Sequence, residues 1–170
     1  MSRLRPRTAL AGLAVLGLAA ALPLAGCGGS SVPADFTATS TPPVGTTTDT
    51  GPAGPSVGDT LVFHARVLKD GKPFGYVYGT KVLVAMPGEF GAPKGLGRYQ
   101  NQLSFVLPDG EITVTGTQDH PTSGLMSAGV PVATRAISGG TGAYAGVTGV
   151  QVSTQVAGKG RTLQFDFAGN

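Results

Sequence analysis

The amino-acid sequence predicts an all-β domain at residues 57–170. From Val57 onward, short runs rich in Val, Leu, Phe, Thr and Tyr alternate with Gly, Pro and Asp, the pattern of strands separated by turns. No segment of this part has the sustained 3.6-residue apolar period that indicates a helix. Because sheet edges need protection, we expect a sandwich or a closed antiparallel barrel of about 114 residues.

Seven strands are predicted in this domain. They are expected at 59–68, 75–86, 98–107, 111–117, 131–138, 145–154 and 161–168. The dipeptides Asp70-Gly71 and Asp109-Gly110 predict tight hairpins, because type I′ turns need positive φ at both central residues. Gly158-Lys159-Gly160 predicts a third turn.

Residues 1–27 predict a secretory signal. Three arginines (Arg3, Arg5 and Arg7) precede a mostly apolar run over 9–24, and the sequence Leu-Ala-Gly-Cys then ends at Cys27. A basic start, a short apolar run and small residues at a cleavage site define such a signal. The run is shorter than the roughly 20 residues that a membrane-spanning helix needs.

The Leu-Ala-Gly-Cys sequence resembles the lipobox of bacterial lipoproteins. The resemblance implies that Cys27 receives a diacylglyceryl group and that a dedicated peptidase cuts before it. Cys27 is the only cysteine of the chain, so acylation also explains a lone thiol in an exported protein. We therefore expect an exported protein, anchored through Cys27 to the outer face of the cell membrane. The alternative is an ordinary signal with a chance cysteine near the cut.

Residues 28–56 predict a disordered tether between this anchor and the domain. The stretch is rich in Gly, Ser, Thr, Pro and Ala. Such a composition buries too little apolar surface to offset the entropy lost on ordering.

The charge of the chain argues against a nucleic-acid partner. The net charge is +3, but three of the basic residues are the arginines of the signal, so the remainder is near neutral. No cluster of Lys and Arg remains that could serve as a nucleic-acid footprint. Two histidines without a cysteine partner make a poor zinc set, and no cofactor is expected.

Three features between 98 and 167 carry a resemblance to a known family. They are the hairpin at 103–116, the segment Ala-Ile-Ser-Gly-Gly-Thr-Gly-Ala-Tyr-Ala-Gly-Val-Thr-Gly at 136–149 and the closing strand at 163–167. Together they resemble the allene oxide cyclase and dirigent family. The resemblance implies a closed antiparallel barrel of about eight strands, with an apolar cavity at one end. Dirigent relatives are often trimers, so a homotrimer is one expected assembly.

The resemblance also implies where a cyclase site would lie. Plant cyclases carry a glutamate and an asparagine two residues apart on the first strand, a proline after it and a cysteine on the second strand. These positions fall at His64, Arg66, Pro73 and Lys81. Only the proline is kept, so allene oxide cyclisation itself is not assigned. His64 could act as a general acid or base, and Arg66 could hold a carboxylate or enolate.

Two orientations of the first strand stay open. One face of the strand is entirely apolar, and the other carries His64 and Arg66. In the first interpretation, the apolar face (Leu61, Phe63, Ala65 and Val67) fills the barrel and His64 and Arg66 meet solvent. In the second, the family register holds and the cavity is lined by His64, Arg66 and Lys81, with Val62, Leu68 and Pro73 as ligand contacts. His120, which precedes a proline, is interpreted as an exposed loop residue.

Three functions fit these expectations. The favoured one is a surface lipoprotein whose barrel binds a small apolar ligand or a partner, because the expected cyclase residues are replaced. The second is an isomerase of the allene oxide cyclase or dirigent type, which steers ring closure of a reactive substrate in the barrel. The third is a structural envelope protein with a filled barrel. A cavity on the order of 300 Å³ or more, with His64 inside, would favour the first two.

Overall fold

The computed structural model describes residues 32–122, 132–157 and 159–170. The signal, Cys27 and Gly158 of the third predicted turn lie outside the described residues. No helix in the described ranges is long and apolar enough to cross a membrane. The described elements are β1 (Phe36–Ser40), β2 (Val44–Thr48), β3 (Thr60–Lys69), β4 (Lys72–Ala85), β5 (Leu96–Leu107), β6 (Gly110–Pro121), β7 (Val132–Gly140), a 3₁₀ turn (Gly142–Tyr144), β8 (Gly149–Val156) and β9 (Gly160–Phe167).

The strands form one antiparallel sheet that closes on itself. Neighbours follow the order β1-β9-β8-β7-β6-β5-β4-β3, and β1 also pairs with β3. This ring of eight strands is the closed barrel that the family resemblance implies, so the fold prediction is confirmed. β2 pairs with the other part of β3, from Val44 opposite His64 to Thr48 opposite Thr60. Within the described residues, β1 closes the ring through its pairings with β9 and with β3.

The seven predicted strands are β3 to β9. The turn between β3 and β4 has the predicted geometry, since Asp70 and Gly71 have φ of 52° and 73°. The turn between β5 and β6 differs from the prediction, because its two loop residues are Pro108 and Asp109 and Gly110 already belongs to β6. Proline holds φ near −65°, which excludes a type I′ turn at that position.

β1 and β2 lie within residues 28–56, which the sequence analysis assigned to the tether. For residues 36–48 the tether prediction is wrong. In β1, the inward-facing residues Phe36 and Ala38 alternate with exposed threonines. Threonine is a residue type that is common in strands. The ring of Phe36 stacks on that of Phe165 at 4.6 Å. This short strand was not recognised within the Thr- and Pro-rich stretch, because only two residues of the strand are apolar.

Aromatic side chains fill the end of the barrel at which β1 begins. Phe165 is fully buried and meets Phe105 edge to face at 4.9 Å between ring centroids. Tyr144, carried by the 3₁₀ turn, stacks on Phe167 at 6.0 Å. This filled end is the apolar core, and it leaves the other end of the barrel for a site.

Candidate functional site

The barrel encloses a cavity of about 280 Å³ at the end where β1 finishes. Pro42 and Pro43, which connect β1 to β2 and are exposed, contribute to its lining at the solvent side. A space of this size holds a small molecule rather than a single water. Its apolar wall consists of Leu61, Phe63, Ala65, Val77, Leu103, Phe105 and Leu163.

Small residues on β3 and β4 make the space beside Phe63. A Cβ atom on Gly79 would lie 2.4 Å from the Phe63 ring and 2.7 Å from Leu103. Gly79 therefore lets the ring rest against the backbone of β4. Ala65, two residues after Phe63 on the same inward face, adds no bulk to the cavity.

The other half of the cavity wall is polar and positively charged. None of the described lining residues is an aspartate or glutamate. Three of the side chains are cations, contributed by β4, β7 and β9. The polar lining residues are Lys81, Gln118, His120, Arg135, Gln151, Ser153, Gln155 and Arg161, with Ser40 at the edge.

Arg135 on β7 is buried at 6 % exposure and is held by neutral acceptors. Its Nη1 donates to Gln151 Oε1 at 3.2 Å and to Ser153 Oγ at 3.0 Å. Its Nη2 donates to Gln118 Oε1 at 2.6 Å. Burial, with a smaller contribution from the charge of Arg161, lowers the pKa of Arg135 to about 10. The guanidinium is therefore still charged at neutral pH.

Arg161 on β9 lies beside Arg135 and shares an acceptor with it. Its Nε donates to the same Ser153 Oγ at 3.1 Å, and its Nη1 donates to Gln155 Oε1 at 2.9 Å. Burial lowers the pKa of Arg161 as well. One hydroxyl oxygen thus bridges two guanidinium groups, and these hydrogen bonds bring no negative charge to either.

Lys81 on β4 is the third cation of the cavity. Its Nζ lies 5.6 Å from the centroid of the Phe63 ring. Burial, and then the charges of Arg135 and Arg161, lower the pKa of Lys81 from 10.5 to about 8. The positive charge of the cavity therefore depends on pH just above neutrality.

Two hydrogen-bond donors in this network are buried and unpartnered within the described residues. They are Arg135 Nε and Gln151 Nε2. The amide orientation of Gln151 follows from its neighbour, because its oxygen accepts from Arg135 and a flipped amide would set two donors against each other. A buried donor without an acceptor costs about 1–3 kcal/mol. Both residues line the cavity, but neither of these two donor atoms exposes surface to it.

His120 also lines the cavity, so its interpretation as an exposed loop residue is wrong. β6 runs to Pro121, beyond the predicted end at 117, and places His120 inside at 3 % exposure. Its ring meets Tyr99 edge to face at 5.8 Å. Nδ1 lies 3.0 Å from the Pro121 carbonyl oxygen, which can only accept, so Nδ1 carries a proton. Among the described residues, no three His, Cys, Asp or Glu are grouped to hold a metal ion.

The structure places His64 and Arg66 on the outer face of the barrel, exposed, so neither lines the cavity. Val62 is 57 % exposed on the same face, Leu68 is half-buried outside the cavity and Pro73 is exposed. The prediction that these five residues contact a ligand in the cavity is therefore wrong. Placing the all-apolar face of β3 inside the barrel is favoured by about 25 cal/mol for each Å² of apolar surface removed from water. The first orientation, with Leu61, Phe63, Ala65 and Val67 inside, is the one observed.

Of the candidate residues from the family register, Lys81 is the one that lies in the cavity. Sequence reasoning missed the rest of the polar wall, including Arg135 and Arg161. The sequence did contain one signal for this wall. Arg135 shares a face of β7 with the apolar residues Ala133 and Ile137, and a charged residue among inward apolar positions indicates a site. The signal was ambiguous because the opposite face of β7 also carries apolar residues.

Comparison with known proteins identifies the family. The family described as allene oxide cyclase barrel like domain matches residues 40–167, and the chain belongs to it. The chain is similar in structure to a pyocyanin demethylase, with 24% identity, a TM-score of 0.65 and coverage of 79% of this chain and 100% of that chain. It is also similar to the Diels–Alderase AbmU from Streptomyces koyangensis, with 14% identity, a TM-score of 0.53 and coverage of 77% and 60%. At these identities the likeness shows the shared barrel fold. No curated protein matches the chain.

Proposed function

We propose that this protein is a surface lipoprotein whose barrel binds a small molecule with an apolar body. The observation that carries the proposal is the cavity of about 280 Å³, with one apolar wall and one polar wall. An apolar body would pack on the first wall, and polar groups of the ligand would be oriented by the second. Phe63 and Phe105 line this space without plugging it, which argues against a purely structural barrel.

A second function is supported by the groups that surround the cavity. Lys81, Arg135 and Arg161 could stabilise negative charge that develops on a bound substrate, and His120 could move a proton. These groups favour an isomerase of the cyclase type, which the family also includes. A chain that binds ligands in the cavity but leaves the product ratio of reactive polyenes or epoxides unchanged would be a binding protein only.

Binding in the cavity can be tested with 2-naphthalenemethanol, a neutral two-ring probe, by isothermal titration calorimetry. We expect the wild-type chain to bind it. Ala65→Phe places a ring in the cavity and should weaken binding by about tenfold or more. Val62→Phe makes a comparable change on the outer face of the same strand and should leave the affinity unchanged.

The two variants also control for damage to the fold. Thermal unfolding of both should show a cooperative transition, and Leu163→Phe offers a second, smaller filling of the same cavity. Equal binding by wild type and by folded Ala65→Phe would contradict a ligand site inside the barrel. The absence of binding by wild type would contradict it as well.

Anchoring through Cys27 is part of the proposal and is supported by the lipobox-like sequence. Expression in a bacterial host with radiolabelled palmitate should label the wild-type chain and leave Cys27→Ser unlabelled. Wild type should fractionate with membranes, because two or more acyl chains give stable anchoring. A Ser31→Ala variant is the matched control and should behave as wild type. Labelling of Cys27→Ser would overturn the assignment.

A further inference from the structure

We propose that the amine of Lys81 is a nucleophile of the cavity and forms a reversible imine with a small apolar aldehyde or ketone. The proposal rests on the proposed function, because it names the class of ligand that the same cavity takes. It also adds a covalent bond between that ligand and the protein.

The position of Lys81 places its amine beside the apolar wall of the cavity. Lys81 on β4 pairs with Leu61 on β3, which is 1 % exposed, and both residues line the cavity. Lys81 Nζ lies 5.6 Å from the centroid of the Phe63 ring, which belongs to the same wall. An apolar ligand that packs on Leu61 and Phe63 would therefore lie next to the amine.

Lys81 Nζ is also available to react. Among the described residues it takes part in no hydrogen bond and no ion pair, and its contact is the Phe63 ring. Arg135 differs, because three neutral side-chain oxygens accept hydrogen bonds from its guanidinium. Lys81 Nζ is not one of the unpartnered atoms that are enclosed without exposed surface. It therefore keeps surface through which a ligand can reach it.

The surroundings of Lys81 favour the neutral, nucleophilic form of the amine. Burial, and then the charges of Arg135 and Arg161, lower the pKa of Lys81 to about 8. At pH 7 about one amine in ten is then neutral, against about one in 3,000 at the ordinary pKa of 10.5. Apolar surroundings and neighbouring cations are two means by which proteins activate a lysine for attack on a carbonyl carbon.

The covalent step needs only the amine and the carbonyl compound. The lone pair of neutral Lys81 Nζ adds to the carbonyl carbon, and an electron pair of the carbonyl bond moves to the oxygen. That oxygen then leaves as water with both hydrogens of the amine, and a C=N bond remains. An aldehyde or ketone is the matching class, because its addition product loses only water. A cavity of about 280 Å³ limits the rest of the ligand to a small aryl or alkyl group.

The test traps the imine with 2-naphthaldehyde as the probe. The full wild-type chain is incubated with this aldehyde and sodium cyanoborohydride at pH 7, and peptide mapping by mass spectrometry locates the reduced adduct. Lys81 should be labelled at least about tenfold faster than exposed Lys94, because more of its amine is neutral and the cavity concentrates the probe. Excess 2-naphthalenemethanol should slow the labelling of Lys81 and leave that of Lys94 unchanged.

Two charge-preserving variants separate the amine from its charge. Lys81→Arg keeps a cation in the cavity but removes the amine, so it should lose the cavity adduct and still bind 2-naphthalenemethanol. Lys94→Arg is the matched control on the surface and should keep the Lys81 adduct at the wild-type rate. If Lys81→Arg shows no cooperative thermal unfolding, Lys81→Met takes its place in the comparison.

The outcomes separate this inference from the proposed function. If wild type binds 2-naphthalenemethanol but Lys81 is labelled no faster than Lys94, the cavity site stands and the imine is wrong. If the alcohol binds without slowing the labelling of Lys81, the amine does not react inside the cavity and the inference is overturned. If wild type does not bind the alcohol and Lys81 is not labelled preferentially, the proposed function itself fails.

Discussion

A chain that begins at Val57 is expected not to fold. Such a chain lacks β1 and β2, so β9 loses its partner over Phe36 to Ser40 and the barrel cannot close. Fully buried Phe165 also loses the ring of Phe36 stacked on it. An aromatic side chain contributes about 1.5–3 kcal/mol by burial. Loss of the hydrogen bonds between β1 and β9 adds to this loss of stability. The free energy of unfolding of a native protein is typically only about 5–15 kcal/mol.

Urea unfolding followed by far-ultraviolet circular dichroism measures this effect. A chain that begins at Val32 keeps β1 and β2 and is the matched control, which should unfold cooperatively. A Val57 chain with the same midpoint and the same strand signal as the Val32 chain would show that β1 is dispensable. It would also restore the domain boundary that the sequence analysis predicted.

Replacement of Lys81 by methionine is expected to stabilise the protein. Because burial lowers the pKa of Lys81 from 10.5 to about 8, the folded state binds this proton more weakly than the unfolded state. Below pH 8 the charged amine therefore opposes folding by up to roughly 3 kcal/mol. The penalty shrinks between pH 8 and 10.5 and is absent above that range. Lys81→Met should thus raise the free energy of unfolding at pH 7 and not at pH 11.

The same replacement is expected to weaken binding of a carboxylate probe. In wild type the affinity for 2-naphthoate should fall as pH rises through about 8, where Lys81 loses its charge. Arg135, whose pKa is about 10, keeps its charge at pH 7 and most of it at pH 9. Arg161 and His120 face the same cavity. Lys81→Met should bind more weakly at pH 7 and show a flatter profile over this range.

Calorimetry at pH 7 and 9, with urea unfolding at pH 7 and 11, measures both effects. Lys94→Met, at an exposed lysine between β4 and β5, is the control and should change neither quantity. Equal stability of wild type and Lys81→Met at pH 7 would contradict the buried charge. A wild-type affinity that is the same at pH 7 and 9 would contradict a role for Lys81 in binding.

The strands that the sequence predicted correctly are those whose apolar residues alternate over ten or so positions between clear turns. β3 is the clearest case, because one face of it is wholly apolar and burial decides its orientation. β1 escaped prediction because its sequence, Phe-Thr-Ala-Thr-Ser, sits in a stretch whose composition is typical of disorder. Its strand conformation comes from pairing with β9 and β3, which are distant in sequence.

The candidate site was predictable only in small part. Lys81 was reached through the family register, but the same register placed His64 and Arg66 inside, whereas both lie on the outer face of β3. The cluster of Arg135, Arg161 and Ser153 joins three strand positions through tertiary contacts. Strand periodicity shows that two residues share a face, but it does not show that the face is the interior.

The direction of β1 determines which end of the barrel lies nearest to the proposed anchor. β1 starts at the end filled by aromatic side chains and finishes beside the cavity. Phe36 follows Cys27 by nine residues, and so short a segment reaches at most about 30 Å. For a chain acylated at Cys27, the filled end would be tethered closer to the bilayer than the mouth of the cavity. That arrangement would favour entry of a ligand from the aqueous side over entry from the membrane.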